Sequence, residues 1–178
     1  MNKVVSLACG IIFGMQNTVS YDTEHCFIAG GLQNSIDEEC DYSTILNGTL
    51  NTVGEGVSLS HISNGMYNKI DHDLGYESII GGSDNHISLT WDEKGYGYGY
   101  NVIGSGTANK VGGIYPDGGT STYGPKTSFG KATNSGIFSG SWNKLEGVGC
   151  AILGGNSNKI TKTISQKVLE SGKEPIQY

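Results

Sequence analysis

The pattern Ile-x-x-Gly-x-x-Asn-x-aliphatic occurs eight times along the 178 residues, and the first five copies follow one another every seventeen residues without a slip. They are Ile11, Gly14, Asn17, Val19; Ile28, Gly31, Asn34, Ile36; Ile45, Gly48, Asn51, Val53; Ile62, Gly65, Asn68, Ile70; and Ile79, Gly82, Asn85, Ile87. The sixth, Ile103, Gly106, Asn109, Val111, comes after twenty-four residues, one period plus seven. The seventh, Ile137, Gly140, Asn143, Leu145, comes after thirty-four, equal to two periods, and Phe129 to Asn134 reads as a degenerate copy between them. The last, Ile152, Gly155, Asn158, Ile160, follows at fifteen. A fixed period of this kind marks a stacked repeat, in which each unit buries its apolar face only against its neighbours.

Each element of the pattern has a physical role. The Ile and the later aliphatic residue are expected on two extended pieces of four to six residues, separated by a turn that Gly allows to take positive φ. Asn tolerates the left-handed region better than other non-glycine residues, and its amide can bond nearby backbone or form a ladder with the Asn one rung away. Stacking the repeats pairs each strand in parallel with its copies at about 4.8 Å. The expected fold is all-β: a parallel β-solenoid of about nine to ten rungs, roughly 45 Å tall by the same spacing. It spans residues 1–160, with an insertion at 91–100 and the degenerate repeat at 112–134.

Composition agrees. The chain has 29 Gly and 3 Pro, and only 4 Phe and 2 Trp beside 10 Tyr, which suits a thin repetitive core better than a wide globular one. The net charge of −6 with no dense Lys/Arg run argues against nucleic acid as a partner. Val4 to Phe13 has the apolar character of a signal-peptide core, but it belongs to the first repeat, and no run of eighteen apolar residues suggests membrane insertion. Cys9, Cys26 and Cys150 fall five residues before the repeat Gly, where other copies have Ser43, Ser60 and Ser135, so they read as an unpaired column of small packing residues. A disulfide between Cys9 and Cys26 is the alternative. No Cys-x-x-Cys and no ligand-spaced His pair points to a metal, and no cofactor is expected.

The serial Ile-x-Gly-Gly-x-x-Asn-x-Ile copies, as in Ile28 to Ile36, Ile79 to Ile87 and Ile152 to Ile160, carry a resemblance. From Cys9 to Ile160 the chain resembles the head repeats of trimeric autotransporter adhesins and the β-roll or triple β-helix segments of phage tail fibres and tailspikes. Autotransporter head repeats are shorter and richer in Ala and Ser, so the bulky Ile columns and longer loops favour the viral side. The resemblance implies a parallel homotrimer. A thin two-strand coil that exposes one face gives a separate physical reason for three chains to close the core together. The first rung begins within ten residues of Met1, so another virion or fibre protein is expected over that end. Residues 161–178 leave the pattern; Ile164 and Val168 have helical spacing before Gly172 and Pro175, as in a short cap or connector.

Recognition is expected where the period fails. Trp91, Tyr96, Tyr98, Tyr100, Tyr115 and Tyr123 concentrate around the insertion and the degenerate repeat, with Gly95, Gly97 and Gly99 between them. Aromatic rings on projecting loops can stack on sugars or pack into a receptor, and the alternative is lateral packing on the rungs or across a trimer. Asp37, Glu38, Glu39, Asp41, Asp71 and Asp73 suit solvated turns. Carboxylates for glycoside hydrolysis or Ca²⁺ ligation are the rival use. His25, His61, His72 and His86 sit at different repeat positions and suggest no catalytic set. The expected function is therefore a structural and binding segment of a virion fibre or spike that meets a host glycan or receptor, without enzymatic activity. A polysaccharide depolymerase or a cell-surface adhesin head is the alternative. Ice binding would need an outward array of one residue type, and Thr18, Ser35, Thr52, Lys69, His86, Lys110, Lys144 and Lys159 do not form one.

Overall fold

A computed structural model of the chain describes residues 1–71, 76–88, 100–112, 135–146 and 150–160. Among them are seventeen short strands that alternate between two parallel sheets, one of nine strands and one of eight, stacked rung on rung as in a β-solenoid. The nine-stranded sheet starts at Lys3–Val4 and continues through Thr18–Val19, Ser35–Ile36, Thr52–Val53, Lys69–Asp71, His86–Ser88, Lys110–Val111 and Lys144–Leu145 to Lys159–Ile160. The other runs from Gly10–Ile11 through Phe27–Ile28, Thr44–Ile45, His61–Ile62, Tyr76–Ile79, Tyr100–Ile103 and Gly136–Ile137 to Ala151–Ile152. The strands are shorter than the four to six residues expected. Most have two, because the chain turns again as soon as one aliphatic side chain has been placed inward.

Those inward side chains form the core. Ile28, Ile45, Ile62, Ile79, Ile103 and Ile137 on one sheet face Val19, Ile36, Val53, Ile70, Ile87 and Leu145 on the other, and all twelve are fully shielded from solvent. Burial of each contributes roughly 1.5–3 kcal/mol. The thin-core argument for three chains therefore fails, since facing columns of branched aliphatic residues close the interior within one chain. At the N-terminal corner, Thr23, Cys40 and Val57 add a third buried column.

The eight repeat glycines have φ between 91° and 114°, as the turn requires. A Cβ on Gly65 would stand 2.2 Å from the carbonyl oxygen of Gly82, so close stacking excludes any side chain as firmly as the dihedral does. The repeat asparagines, in contrast, are not left-handed. That conformation is taken by the residue before each one, Gln16, Gln33, Leu50, Tyr67, Asp84, Ala108, Trp142 and Ser157, with φ from 54° to 60°. Asn instead turns inward and is fully buried over most of the stack, because its amide is needed for a ladder. Asn51 Nδ2 donates to Asn34 Oδ1, Asn47 O and Gly65 O, and the same set recurs in Asn68, Asn85, Asn109 and Asn143. Asn2 begins this ladder by accepting from the Asn17 amide at 3.1 Å, a member that its irregular spacing concealed.

Register also revises the rung count. Ile28 pairs with Ile45 at an offset of seventeen, and Ile79 with Ile103 across the seven-residue insertion. Val102 then pairs with Gly136, Ile103 with Ile137 and Lys110 with Lys144. The thirty-four-residue interval is thus one step of the stack and not two, because the strands on either side of 113–134 already satisfy each other. The degenerate copy, Phe129 to Asn134, lies outside the described residues, as do 161–178. Among the described residues eight complete rungs and a ninth strand on one sheet stand beside the nine to ten rungs expected, and the nine paired strands rise roughly 38 Å at the spacing of a parallel sheet.

Candidate functional site

The regular geometry changes at one level, the two rungs that carry Tyr76 and Tyr100. Tyr76–Ile79 and Tyr100–Ile103 are the only four-residue strands among the described residues. They pair over their full length, Tyr76 to Tyr100 and Glu77 to Asn101. Outward from the extra turn of strand, the rings of Tyr76 and Tyr100 stack with centroids 4.9 Å apart and planes 1° from parallel. Both remain more than half exposed, at 51% and 61%. Inward, Glu77 and Asn101 are buried, and Asn101 Nδ2 donates to Glu77 Oε1 at 3.1 Å.

Glu77 and Asn101 occupy the column that holds Cys26, Ser43, Ser60 and Ser135 on other rungs. That column needs an acceptor: the Ser43 amide donates to Cys26 Sγ, the Ser60 amide to Ser43 Oγ, and the Ser135 amide to Asn101 Oδ1. An acid and an amide of adjacent rungs extend the same chemistry with longer side chains. Of the six aromatic candidates, Tyr100 alone is described; Trp91, Tyr96, Tyr98, Tyr115 and Tyr123 lie outside the described residues. Tyr76, Glu77 and Asn101 were missed, although Tyr76 and Tyr100 share the twenty-four-residue spacing of Asn85 and Asn109.

The two outer faces differ sharply. On the eight-stranded sheet the positions flanking each Ile carry Gly10, Phe27, Thr44, His61, Ser78, Val102, Gly136 and Ala151 on one side, and Ile12, Ala29, Leu46, Ser63, Ile80, Gly104, Phe138 and Leu153 on the other. None is an acid, a lysine or an arginine. Burial holds the His61 imidazole below its ordinary pKa, which favours the neutral form, and its Nε2 lies 2.7 Å from Ser63 Oγ. Ile12, Leu46, Ile80, Phe138 and Leu153 are exposed.

The nine-stranded sheet carries basic side chains on its upper rungs, Lys69, His86, Lys110, Lys144 and Lys159 in register. Asp71 accepts from Lys69 Nζ at 2.8 Å and from His86 Nε2 at 3.0 Å. Burial pushes the Asp71 carboxyl up, but these two partners outweigh it and hold it below the usual carboxylate range. Lys144 pairs with Glu146. A small cavity of about 70 Å³ opens beside His86, Ser88, Lys110, Val111, Gly112 and Lys144.

The other candidates that are described make contacts within the fold. Glu38 raises the pKa of Tyr21 by hydrogen bonding, and Asp41 Oδ1 accepts from the Glu24 amide at 2.9 Å. His25 stacks on Tyr42 with centroids 4.7 Å apart. His72 and Asp73 lie outside the described residues. All four cysteines are free, and among the described residues no group of three His, Cys, Asp or Glu is placed to hold a metal ion. Among them, too, no helix is long and apolar enough to cross a membrane. No protein-family model matches the chain, and no curated protein is significantly similar to it.

Proposed function

We propose that the chain is a structural and binding segment of a viral, phage-like tail fibre or spike. In this reading three parallel copies pack along the uncharged face of the eight-stranded sheet. The opposite face and the corner loops then meet a host receptor or glycan. The observation that carries it is the contrast between the two outer faces of one rod. A face without formal charge that exposes Ile12, Leu46, Ile80, Phe138 and Leu153 favours burial against a partner. A charged face suits a wet, specific contact, and the stacked Tyr76 and Tyr100, at the start of their strands in the eight-stranded sheet, stand at the margin of the uncharged face. Because the core closes within one chain, assembly is argued here from the outer surface alone. Other fibre or virion proteins at the ends of the rod, and a place in the virion, follow from the same reading.

Native mass measurement of the wild type and of Ile80→Lys tests the assembly. The expected result is a trimer for the wild type and a monomer with unchanged β-structure for the variant, since Ile80 points outward. A wild-type monomer at micromolar concentration overturns the assembly. Removing 92–98, which restores seventeen residues between Asn85 and Asn109, tests the contact. Folding should survive and binding to host cells or a glycan array should weaken, whereas equal binding removes that loop from the contact.

A further inference from the structure

We propose that the notch between His86, Lys110 and Lys144 on the nine-stranded sheet is an anion subsite that takes a sulfate or carboxylate group of an acidic glycan. It deepens the fibre reading by naming the chemistry that the charged face would recognise.

Like charges directly opposite on neighbouring strands repel, yet Lys110 pairs with Lys144 at the spacing of one rung, with the His86 imidazole opposite Lys110 on the other side. On the flanking rungs an acid stands two residues further along the strand, where Asp71 serves Lys69 and His86 and Glu146 serves Lys144. On the two rungs between, that position is held by Ser88 and Gly112. Lys110 consequently has no acidic partner among the described residues. The cavity lies at this gap, and its volume of about 70 Å³ is several times the roughly 10–15 Å³ that one water needs. A missing carboxylate thus leaves a space lined by the Lys110 and Lys144 side chains and the His86 imidazole, with Ser88 beside it. A bound oxyanion would take the place that Asp71 and Glu146 fill on the rungs below and above. In a chain of net charge −6, such a row of basic side chains is a local departure and not a general basic character. One narrow row suits an acidic sugar chain better than the wider phosphate surface of nucleic acid.

The test uses the full chain with inorganic sulfate, sulfated dextran, uncharged dextran and an oligothymidylate as probes, titrated calorimetrically at low salt and again at 0.15 M. Sulfated dextran should bind and uncharged dextran should not, with affinity falling as salt rises. Lys110→Gln should weaken binding about tenfold. Ser88→Asp, which supplies the missing carboxylate, should abolish binding while leaving the melting temperature unchanged or higher. Lys3→Gln, on the lowest strand of the same sheet, should bind as wild type. Unaltered binding in Lys110→Gln and Ser88→Asp overturns the subsite, as does equal binding of the uncharged polymer. Oligothymidylate binding as tight as that of sulfated dextran overturns the glycan assignment. None of these readouts requires a trimer or a host cell, so the subsite and the fibre reading can fail separately.

Discussion

Asn51 holds Asn68 twice through a single atom: its Oδ1 accepts from the Asn68 backbone amide at 3.0 Å and from Asn68 Nδ2 at 3.1 Å. Asn68 passes the same pair of acceptances to Asn85, at 3.1 Å each. Each asparagine therefore satisfies the backbone of the next rung with its oxygen. Its nitrogen ties the glycine corner, reaching Asn64 O and Gly82 O in the case of Asn68.

Asn68→Ala is expected to cost several kcal/mol, because it strands the buried amide of Asn85, at about 1–3 kcal/mol, and removes three donated hydrogen bonds of about 0.5–1.5 kcal/mol each. Asn68→Asp should be worse at neutral pH. It keeps an acceptor for Asn85 but presents carboxylate to oxygens that only accept. Its folded pKa would then rise above the unfolded value of about 3.9, so the excess penalty over Ala should disappear as pH falls below about 4. Urea melts at pH 7 and pH 3 measure both; equal stability of the two variants at pH 7 would contradict the ladder.

Gly65→Ala should be nearly as damaging as Gly65→Val. The left-handed strain affects both, and the Cβ alone would meet the Gly82 carbonyl oxygen at 2.2 Å. A loss of roughly 3–5 kcal/mol or failure to fold is expected. A melt within a few degrees of wild type would show that adjacent corners can move apart. Gly56→Ala, whose Cβ meets nothing within 4 Å, isolates the dihedral contribution and should cost less.

Thr107 and Ser141 bridge directly although thirty-four residues separate them. One rung apart, their Cα atoms fall within the 4.4–6.8 Å that a disulfide spans; two rungs apart, at about 9.6 Å, they would not. The double variant Thr107→Cys, Ser141→Cys should cross-link under mild oxidation, scored by peptide mapping. Absence of the cross-link, with the fold intact, would restore a rung between them.

Burial pushes the thiols of Cys26 and Cys40 up to about 11 and about 12. Their folded pKa values exceed the unfolded value of about 8.5, so the stability tied to the neutral thiol is complete below that pH and is lost as pH rises toward 11–12. Melting temperature should decline above about pH 9. Cys26→Ser and Cys40→Val, which copy Ser43 and Val57 of the same columns, should flatten that decline. Native labelling with a thiol reagent should reach the half-buried Cys9 and Cys150 and spare the other two. Rapid labelling of Cys40 would contradict its buried place.

The columns were legible in the sequence because Ile, Gly and Asn each meet a requirement that no other residue meets as well. A buried aliphatic must branch, the corner excludes a Cβ, and the ladder needs donor and acceptor in one short side chain. What stayed hidden had no such requirement. The left-handed residue before each Asn ranges from Gln16 to Leu50 to Trp142, since the strain of roughly 1 kcal/mol is carried by the stack and leaves no preferred residue type. Glu77 and Asn101 were obscured because the column asks only for an acceptor, which thiol, hydroxyl, amide and carboxylate all supply. The thirty-four-residue interval was misread because twice seventeen is also one rung with a longer excursion, and pairing alone distinguishes them.

The corner that leads from the nine-stranded sheet to the next rung has a consequence for how such a rod can change. Between Val53 and Ser60 it uses six residues, and between Val111 and Ser135 twenty-three, yet the pairings beyond both are in register. Lengthening a loop about fourfold adds only roughly 1 kcal/mol of closure entropy. This corner is accordingly a splice point: foreign segments grafted there, of a few residues or a few dozen, should be exchanged without redesigning a single rung.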